Sequence, residues 1–150
     1  MNDEATLNGR PARLIRSGEA LLPVRLDLRY ATVVGQIAGT RDFTSYHHDP
    51  EAAKAQGQRT IYVNTMFFEA FLDRVALEWA GPTWFIGRRT MRMISSAYAG
   101  QSLTGTGSVE SVEAGTDGGT EAVVSVRAGT EDGVCATARI TLRDRIPSLT

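Results

Sequence analysis

Both histidines of the chain, His47 and His48, fall in one short polar stretch, GTRDFTSYHHDPEAA at residues 39–53, with Asp42 and Asp49 flanking them. Histidine is the side chain whose unperturbed titration lets it both take and give a proton near neutral pH. A carboxylate within reach can accept or relay a second proton, or orient a water. The combination suits acid/base chemistry. A plainer reading stands beside it, because His–Asp pairs in loops also serve as caps and surface hydrogen bonds. Asp49, directly before Pro50-Glu51-Ala52-Ala53, has the position of a helix N-cap with proline at the first helical residue. His48 reads equally well as an exposed neighbour. Residue types alone leave both readings open.

Other chemistries find no support. Cys135 is the only cysteine, so neither an intrachain disulfide nor a thiolate metal cluster can form. There is no HExxH, and two histidines with one cysteine make a poor ligand set, so no metal site is expected. Neither GxGxxG nor GxxxxGK[ST] occurs, which removes motif support for a dinucleotide or P-loop site. The formal net charge of -1, without a basic run, gives no footprint for nucleic acid. No stretch approaches the roughly 18 apolar residues that would cross a bilayer. The polar, acidic start MNDEATLNGR does not resemble a secretory signal. The expectation is a cytoplasmic protein without a membrane or nucleic-acid partner, and 150 residues fit one ordinary domain.

The elements that must hold the polar loop can be read from periodicity. Residues 1–20 show none and suggest an irregular arm. Residues 21–30 alternate weakly, with Val24, Leu26 and Leu28 opposite Arg25, Asp27 and Arg29, which favours a strand. A short helix over 31–38 follows, ended by Gly39 and Thr40, so that Asp42 opens the next loop. A second short helix begins at Pro50 and ends near Gly57. The strongest helical signal runs from Thr65 to Ala80, where Phe68, Phe71, Leu72, Val75, Ala76 and Trp79 share one arc. Its polar set is small, so the helix should be buried, and Gly81-Pro82 ends it. From Phe85 onward strands dominate. Arg88, Thr90 and Arg92 fall on one face of the first, and Arg89, Met91 and Met93 on the other. Strands over 103–112, 122–128 and 134–142 are joined by turns at 115–121 and 129–133, and the last has Val134, Ala136, Ala138, Ile140 and Leu142 on a single apolar face. Short turns imply antiparallel neighbours. One antiparallel sheet must cover its apolar face, and the greasy helix is the available cover. The fold class is therefore α+β, a curved antiparallel sheet wrapped around a long central helix. Residues 21–145 make the domain, with an arm over 1–20 and a tail over 146–150.

The segment from Asp42 to Ala53 resembles the signature of the MaoC-like and (R)-specific enoyl-CoA hydratases, acyl dehydratases of the hotdog fold. That pattern reads D-x-N-P-hydrophobic-H, then a small residue six positions on. Asp42, Tyr46, His47 and Ala53 hold the matching places. Downstream, Gly57, Ile61 and Asn64-Thr65-Met66 fall where the family has a glycine, an aliphatic residue and His-Gly-Met. Ala99-Gly100-Gln101 resembles its Pro-Gly-Asp turn. The likeness spans about residues 22–143. The chain departs from the pattern at Arg41 for glycine, Thr44-Ser45 for Asn-Pro, and Asn64-Thr65 for His-Gly.

The resemblance implies hydration of a 2-enoyl thioester, or the reverse dehydration of a 3-hydroxyacyl thioester, with coenzyme A or a carrier protein as part of the substrate and no separate cofactor. Asp42 and His47 would be the acid/base pair. A backbone N–H at Asn64 or Thr65 would polarise the thioester carbonyl. Thr44, Tyr46, Met66 and Phe67 would meet substrate, Phe68 belonging rather to the core. Arg88, Arg89 and Arg92 would attract coenzyme A phosphates, against the alternative of a solvated strand face. It also implies a homodimer or higher even assembly, or a heteromer with a second hotdog subunit. Three other readings remain: an acyl-thioester hydrolase on the same fold, a non-catalytic acyl-binding or supporting subunit, and a cyclase or dehydratase of specialised metabolism.

Overall fold

The computed structural model describes residues 6–7, 10–11, 15–116 and 118–144. Near the start, two-residue strands β1 (Thr6–Leu7) and β2 (Arg10–Pro11) pair antiparallel. The rest of 1–14 and the tail over 146–150 lie outside the described residues. The expected irregular arm is not free at its inner end. Backbone hydrogen bonds from Gly18 N–H to Val109 O and from Leu21 N–H to Gly107 O, both 2.9 Å, lay it along a strand of the main sheet.

That sheet is antiparallel throughout, in the order β3 (Val24–Asp27), β5 (Ser102–Ala114), β6 (Thr120–Thr130), β7 (Gly133–Arg143) and β4 (Phe85–Met93). Its register aligns the apolar positions across strands. Val124 faces Ile140 and Ala128 faces Ala136, and all four are buried. The turn at 115–119 is shorter than its sequence suggests, because Thr120 and Glu121 already pair in β6. The expected strand over 21–30 contracts to Val24–Asp27, since Leu28 is wholly buried beyond it and a helix starts at Tyr30.

Among the described residues, three α-helices complete the domain: α1 (Tyr30–Thr40), α2 (Pro50–Ala55) and α3 (Thr65–Ala80). The apolar arc of α3 is the buried face, where Phe68, Phe71, Leu72, Val75, Ala76 and Trp79 are almost fully covered by the sheet. Each of the larger side chains contributes about 1.5–3 kcal/mol relative to exposure. At the far end Gly81 adopts φ 92 while its N–H bonds Leu77 O at 2.8 Å, and Pro82 prevents another turn. The helix can lie this close because β5 carries glycine where it crosses. A Cβ on Gly105 would stand 2.2 Å from Val75 Cγ2 and 3.0 Å from Phe71 Cε1.

Gly105→Ala should therefore overpack the helix–sheet contact and lower stability by about 1–3 kcal/mol. Denaturant unfolding monitored by tryptophan fluorescence checks this, and an unchanged midpoint would show that the helix does not rest on β5 there.

Candidate active site

The polar loop begins where α1 ends. The helix runs two residues past the expected stop at 38, and Arg41 follows it in the left-handed region (φ 55), with its N–H bonded to Ile37 O at 2.7 Å. Arg41 is the one non-glycine residue with positive φ among those described. A short 3-10 turn over Ser45–His47 then swings the chain back. Asp49 caps α2 as its position suggests, accepting from Glu51 N–H at 2.9 Å and Ala52 N–H at 3.4 Å. Ala53, at the small position, is wholly buried. His48 is exposed.

Asp42 and His47 come together. Asp42 Oδ2 lies 3.2 Å from His47 Nε2, and the two side chains are 25% and 4% exposed. The imidazole is thus enclosed while the carboxylate opens to a ligand. The other ring nitrogen, Nδ1, lies 2.7 Å from the Tyr62 carbonyl oxygen. A carbonyl can only accept, so Nδ1 carries the hydrogen. In the neutral ring Nε2 then presents its lone pair toward the carboxylate. Two acceptors converge on one small region. A water placed about 2.8–3.0 Å from both could donate one O–H to each.

The carboxylate is held ionised. The Thr44 hydroxyl donates to Asp42 Oδ1 at 2.5 Å, and this bond is the largest influence keeping the carboxyl below the ordinary aspartate value. Partial desolvation opposes it, while the Asn64 amide (3.2 Å), the Thr44 N–H (3.3 Å) and, when the ring is protonated, the charge on His47 act in the same direction as the hydroxyl. The Tyr62 phenol is pushed the other way, up, mainly by burial and then by Tyr46, Tyr98 and Asp42.

Asn64 precedes α3 and is 5% exposed. Its Oδ1 accepts from Phe67 N–H at 2.9 Å as the N-cap of α3, and its Nδ2 donates to Thr40 Oγ1 at 2.9 Å as well as to Asp42. Its own N–H donates to Gln36 Oε1 at 3.1 Å. The expectation of an Asn64 backbone donor for substrate is therefore corrected, because that donor is occupied. The N–H groups of Thr65 and Met66 have no helical acceptor at the start of α3, and no other among the described residues takes them. They are the donors a developing oxyanion could use. The Thr65 residue is exposed.

The remaining sequence candidates divide. Met66 and Phe67 line an apolar groove of about 500 Å³ between α1 and α3, with Thr32, Gln36, Gly39, Thr40 and Ala70. Gln36 and Thr40 also belong to the polar set around Asn64, which links the groove wall through hydrogen bonds to Asp42 and to the Tyr62 carbonyl that holds His47. Thr44, expected at substrate, instead binds Asp42. Tyr46 stacks on Tyr62 with ring centroids 5.5 Å apart and meets the edge of His47. It positions the imidazole from the side. The three arginines do not form one cluster. Arg89 faces α3, where Glu69 (3.1 Å) and Asp73 pair with it. Arg88 and Arg92 lie exposed on the outer face of β4, an edge strand. Strand alternation separates them. Gln36, Thr40 and the Tyr62 carbonyl escaped the sequence reading. The available signal was a helix stripe of Val33, Gln36, Ile37 and Thr40, in which polar residues at core-facing positions call for partners.

No family model matches the chain. The 3-oxo-4,17-pregnadiene-20-carboxyl-CoA hydratase beta subunit of Mycobacterium tuberculosis is 34% identical over 112 residues, covering 75% of this chain and 84% of that protein. The chain belongs to the MaoC-like acyl dehydratases of the hotdog fold. A chain in the crystal structure of the ChsH1-ChsH2 complex of Mycobacterium tuberculosis is 30% identical and superposes with a TM-score of 0.81, over 88% of this chain and all (100%) of that one. The (R)-hydratase of A. caviae involved in PHA biosynthesis has a TM-score of 0.76 over 91% of this chain and 100% of its own, and at 17% identity it speaks for the fold alone. The MaoC-like signature residues Asp42 and His47 are thus the two side chains that this structure brings within 3.2 Å. Among the described residues, no helix of this MaoC-like chain is long and apolar enough to cross a membrane.

The lowered carboxyl makes a signed prediction. A group whose folded titration point is depressed adds stability above the unfolded carboxylate range, and that contribution disappears as pH falls through the folded value. Thr44→Val should move Asp42 up toward the ordinary value, lower stability at neutral pH, and leave a smaller difference from wild type in acid. Carboxyl carbon-13 titration with denaturant melts at both pH values checks it. Equal Asp42 titration in the two proteins would remove Thr44 from the account.

Proposed function

We propose that this chain hydrates the 2-enoyl thioester of a large acyl group, of the steroid acyl-CoA class, and catalyses the reverse dehydration. The observation that carries the reading is the pair itself: an ionised Asp42 facing an imidazole whose far nitrogen is fixed on a backbone carbonyl. Such a pair suits addition of water to a polarised double bond better than attack at the thioester carbonyl. The acyl group would lie in the groove between α1 and α3. Water held by Asp42 Oδ2 and His47 Nε2 would add its oxygen to C3, and the proton taken from it by the pair would return to C2. Negative charge on the thioester oxygen would be met by the Thr65 and Met66 N–H groups, already oriented by the helix start.

The steroid class rests on the name of the 34% identical hydratase subunit. That protein is a beta subunit, and the similar solved chain comes from a two-protein complex. The reading accordingly pairs this chain with a second, non-identical hotdog subunit. Residues 21–145 form the hydratase domain in this reading. A cytoplasmic setting accords with a free, buried Cys135.

Purified protein, alone and co-expressed with its hotdog partner, should consume 2-enoyl-CoA substrates with loss of enoyl absorbance and formation of the 3-hydroxyacyl product. Asp42→Asn and His47→Ala should each lower kcat/KM by roughly 10²–10⁴-fold. Release of free coenzyme A at a comparable rate would replace the hydratase reading with thioester hydrolysis. Activity that survives in both variants would remove the pair from the chemistry.

A further inference from the structure

Gln36 lies on α1, outside the polar loop and outside the signature, yet it is only 8% exposed and touches both halves of the site. Its Oε1 accepts from Asn64 N–H at 3.1 Å. An N–H can only donate, so this bond fixes which way the amide is turned. The Nε2 group then necessarily faces the Tyr62 carbonyl, at 3.3 Å. That is the same oxygen that holds His47 Nδ1 at 2.7 Å. Gln36 also lines the apolar groove between α1 and α3.

We infer that Gln36 is a positioning residue for the hydration reaction proposed above: it aims the Tyr62 carbonyl at His47 Nδ1, thereby fixing the imidazole tautomer, and occupies the Asn64 N–H so that only the Thr65 and Met66 N–H groups stay open to substrate. The inference rests on that functional reading for its kinetic consequence, but its structural core is independent of the reaction. A carbonyl has two lone-pair directions, and here one serves the imidazole while the other serves the Gln36 amide. Without the amide, the Tyr62–Val63 peptide keeps the bond from Val63 N–H to Ala97 O at 3.1 Å but loses the brace on its carbonyl side, the side that meets the imidazole. Proton exchange with a water at Nε2 needs the hydrogen to be at Nδ1, so a mixture of tautomers leaves part of the protein unable to act. Thr40 supports the same geometry from one turn on, donating its hydroxyl to the Gln36 carbonyl at 3.0 Å while accepting from Asn64 Nδ2. A side chain in the wall of the groove is also placed to feel an acyl group lying there.

Two variants separate the two links. Gln36→Leu removes both. Gln36→Glu keeps an acceptor for the Asn64 N–H but turns a second acceptor toward the Tyr62 carbonyl. Long-range proton–nitrogen-15 spectra of the imidazoles, recorded on full-length protein with His48→Gln as the assignment control, report the His47 tautomer directly. The expected result is one Nδ1–H form in wild type and a mixture in both Gln36 variants. In kinetics on an enoyl-CoA, kcat should fall about tenfold with KM changed much less, as loss of about one oriented hydrogen bond would give. A wild-type tautomer in both variants, with only the melting temperature lowered, would overturn the inference and leave Gln36 a packing residue. A tautomer shift in a protein that hydrates no enoyl-CoA would instead sustain the positioning role and reject the functional reading. Should Gln36→Leu fail to fold, the near-isosteric Gln36→Glu carries the measurement.

Discussion

The structure around the pair hangs on the four hydrogen bonds made by the side chain and the N–H of Asn64. This residue closes the segment that enters the central helix, and it is buried, so its polar atoms must all be satisfied within the protein. One oxygen caps α3 at Phe67, the amide nitrogen holds Thr40 and Asp42, and the backbone N–H is held by Gln36. The long buried helix and Asp42, the more exposed member of the Asp42–His47 pair, are therefore tied to one side chain. The helix cannot shift along the sheet without dragging the carboxylate, and the packing of Phe68, Leu72 and Val75 fixes both. A preorganised site needs support of this kind, because the reacting groups are held by elements with no freedom of their own.

Much of this frame was legible in the chain. The period of Phe68, Phe71, Leu72, Val75, Ala76 and Trp79 gives α3 and its buried face, because a helix that apolar has no stable position in water. Alternation gives the four long strands. Asp42 and His47 were legible as a pair only through their place in a family signature, since composition alone also permits a cap and a surface hydrogen bond. Gln36 and Thr40 were not singled out, although both fall on the core-facing stripe of α1. A pattern marks where a polar residue is buried but not which partner satisfies it, and here the distant partners lie 24–28 positions away, at Tyr62 and Asn64. The arginines teach the converse. Strand alternation already put Arg89 opposite Arg88 and Arg92, so their proximity in sequence argued against one cluster, and Glu69 and Asp73 on α3 account for the inward one.

The departures from the family signature can be judged by what each position must supply. At Arg41 the backbone is left-handed, a conformation that glycine adopts freely and that costs another residue about 1–2 kcal/mol. That cost affects stability without touching the pair. At Thr44 the requirement is a donor that reaches Asp42, and a hydroxyl at 2.5 Å meets it. At Asn64 it is a cap for α3 that also reaches the carboxylate, and a short amide does both. Thr65 brings a side chain where the signature has none, but the residue is exposed, and its backbone N–H stays unclaimed among the described residues.

In the proposed hydration these departures share a physical logic. The developing charge would be met by backbone N–H groups, and the imidazole is held by a backbone carbonyl, so the side chains around them need only hold the chain in place. A site built this way would constrain geometry strongly and residue identity weakly, except at the Asp42–His47 pair. The groove between α1 and α3 differs in kind. Its floor is made of side chains, with Met66 still 44% exposed at its rim. In the proposed function it is the part of the site in which substitutions would alter what the acyl group touches while leaving the Asp42–His47 contact intact. Differences in substrate among relatives with the same pair should therefore trace to the wall residues Thr32, Met66, Phe67 and Ala70 before they trace to the polar loop.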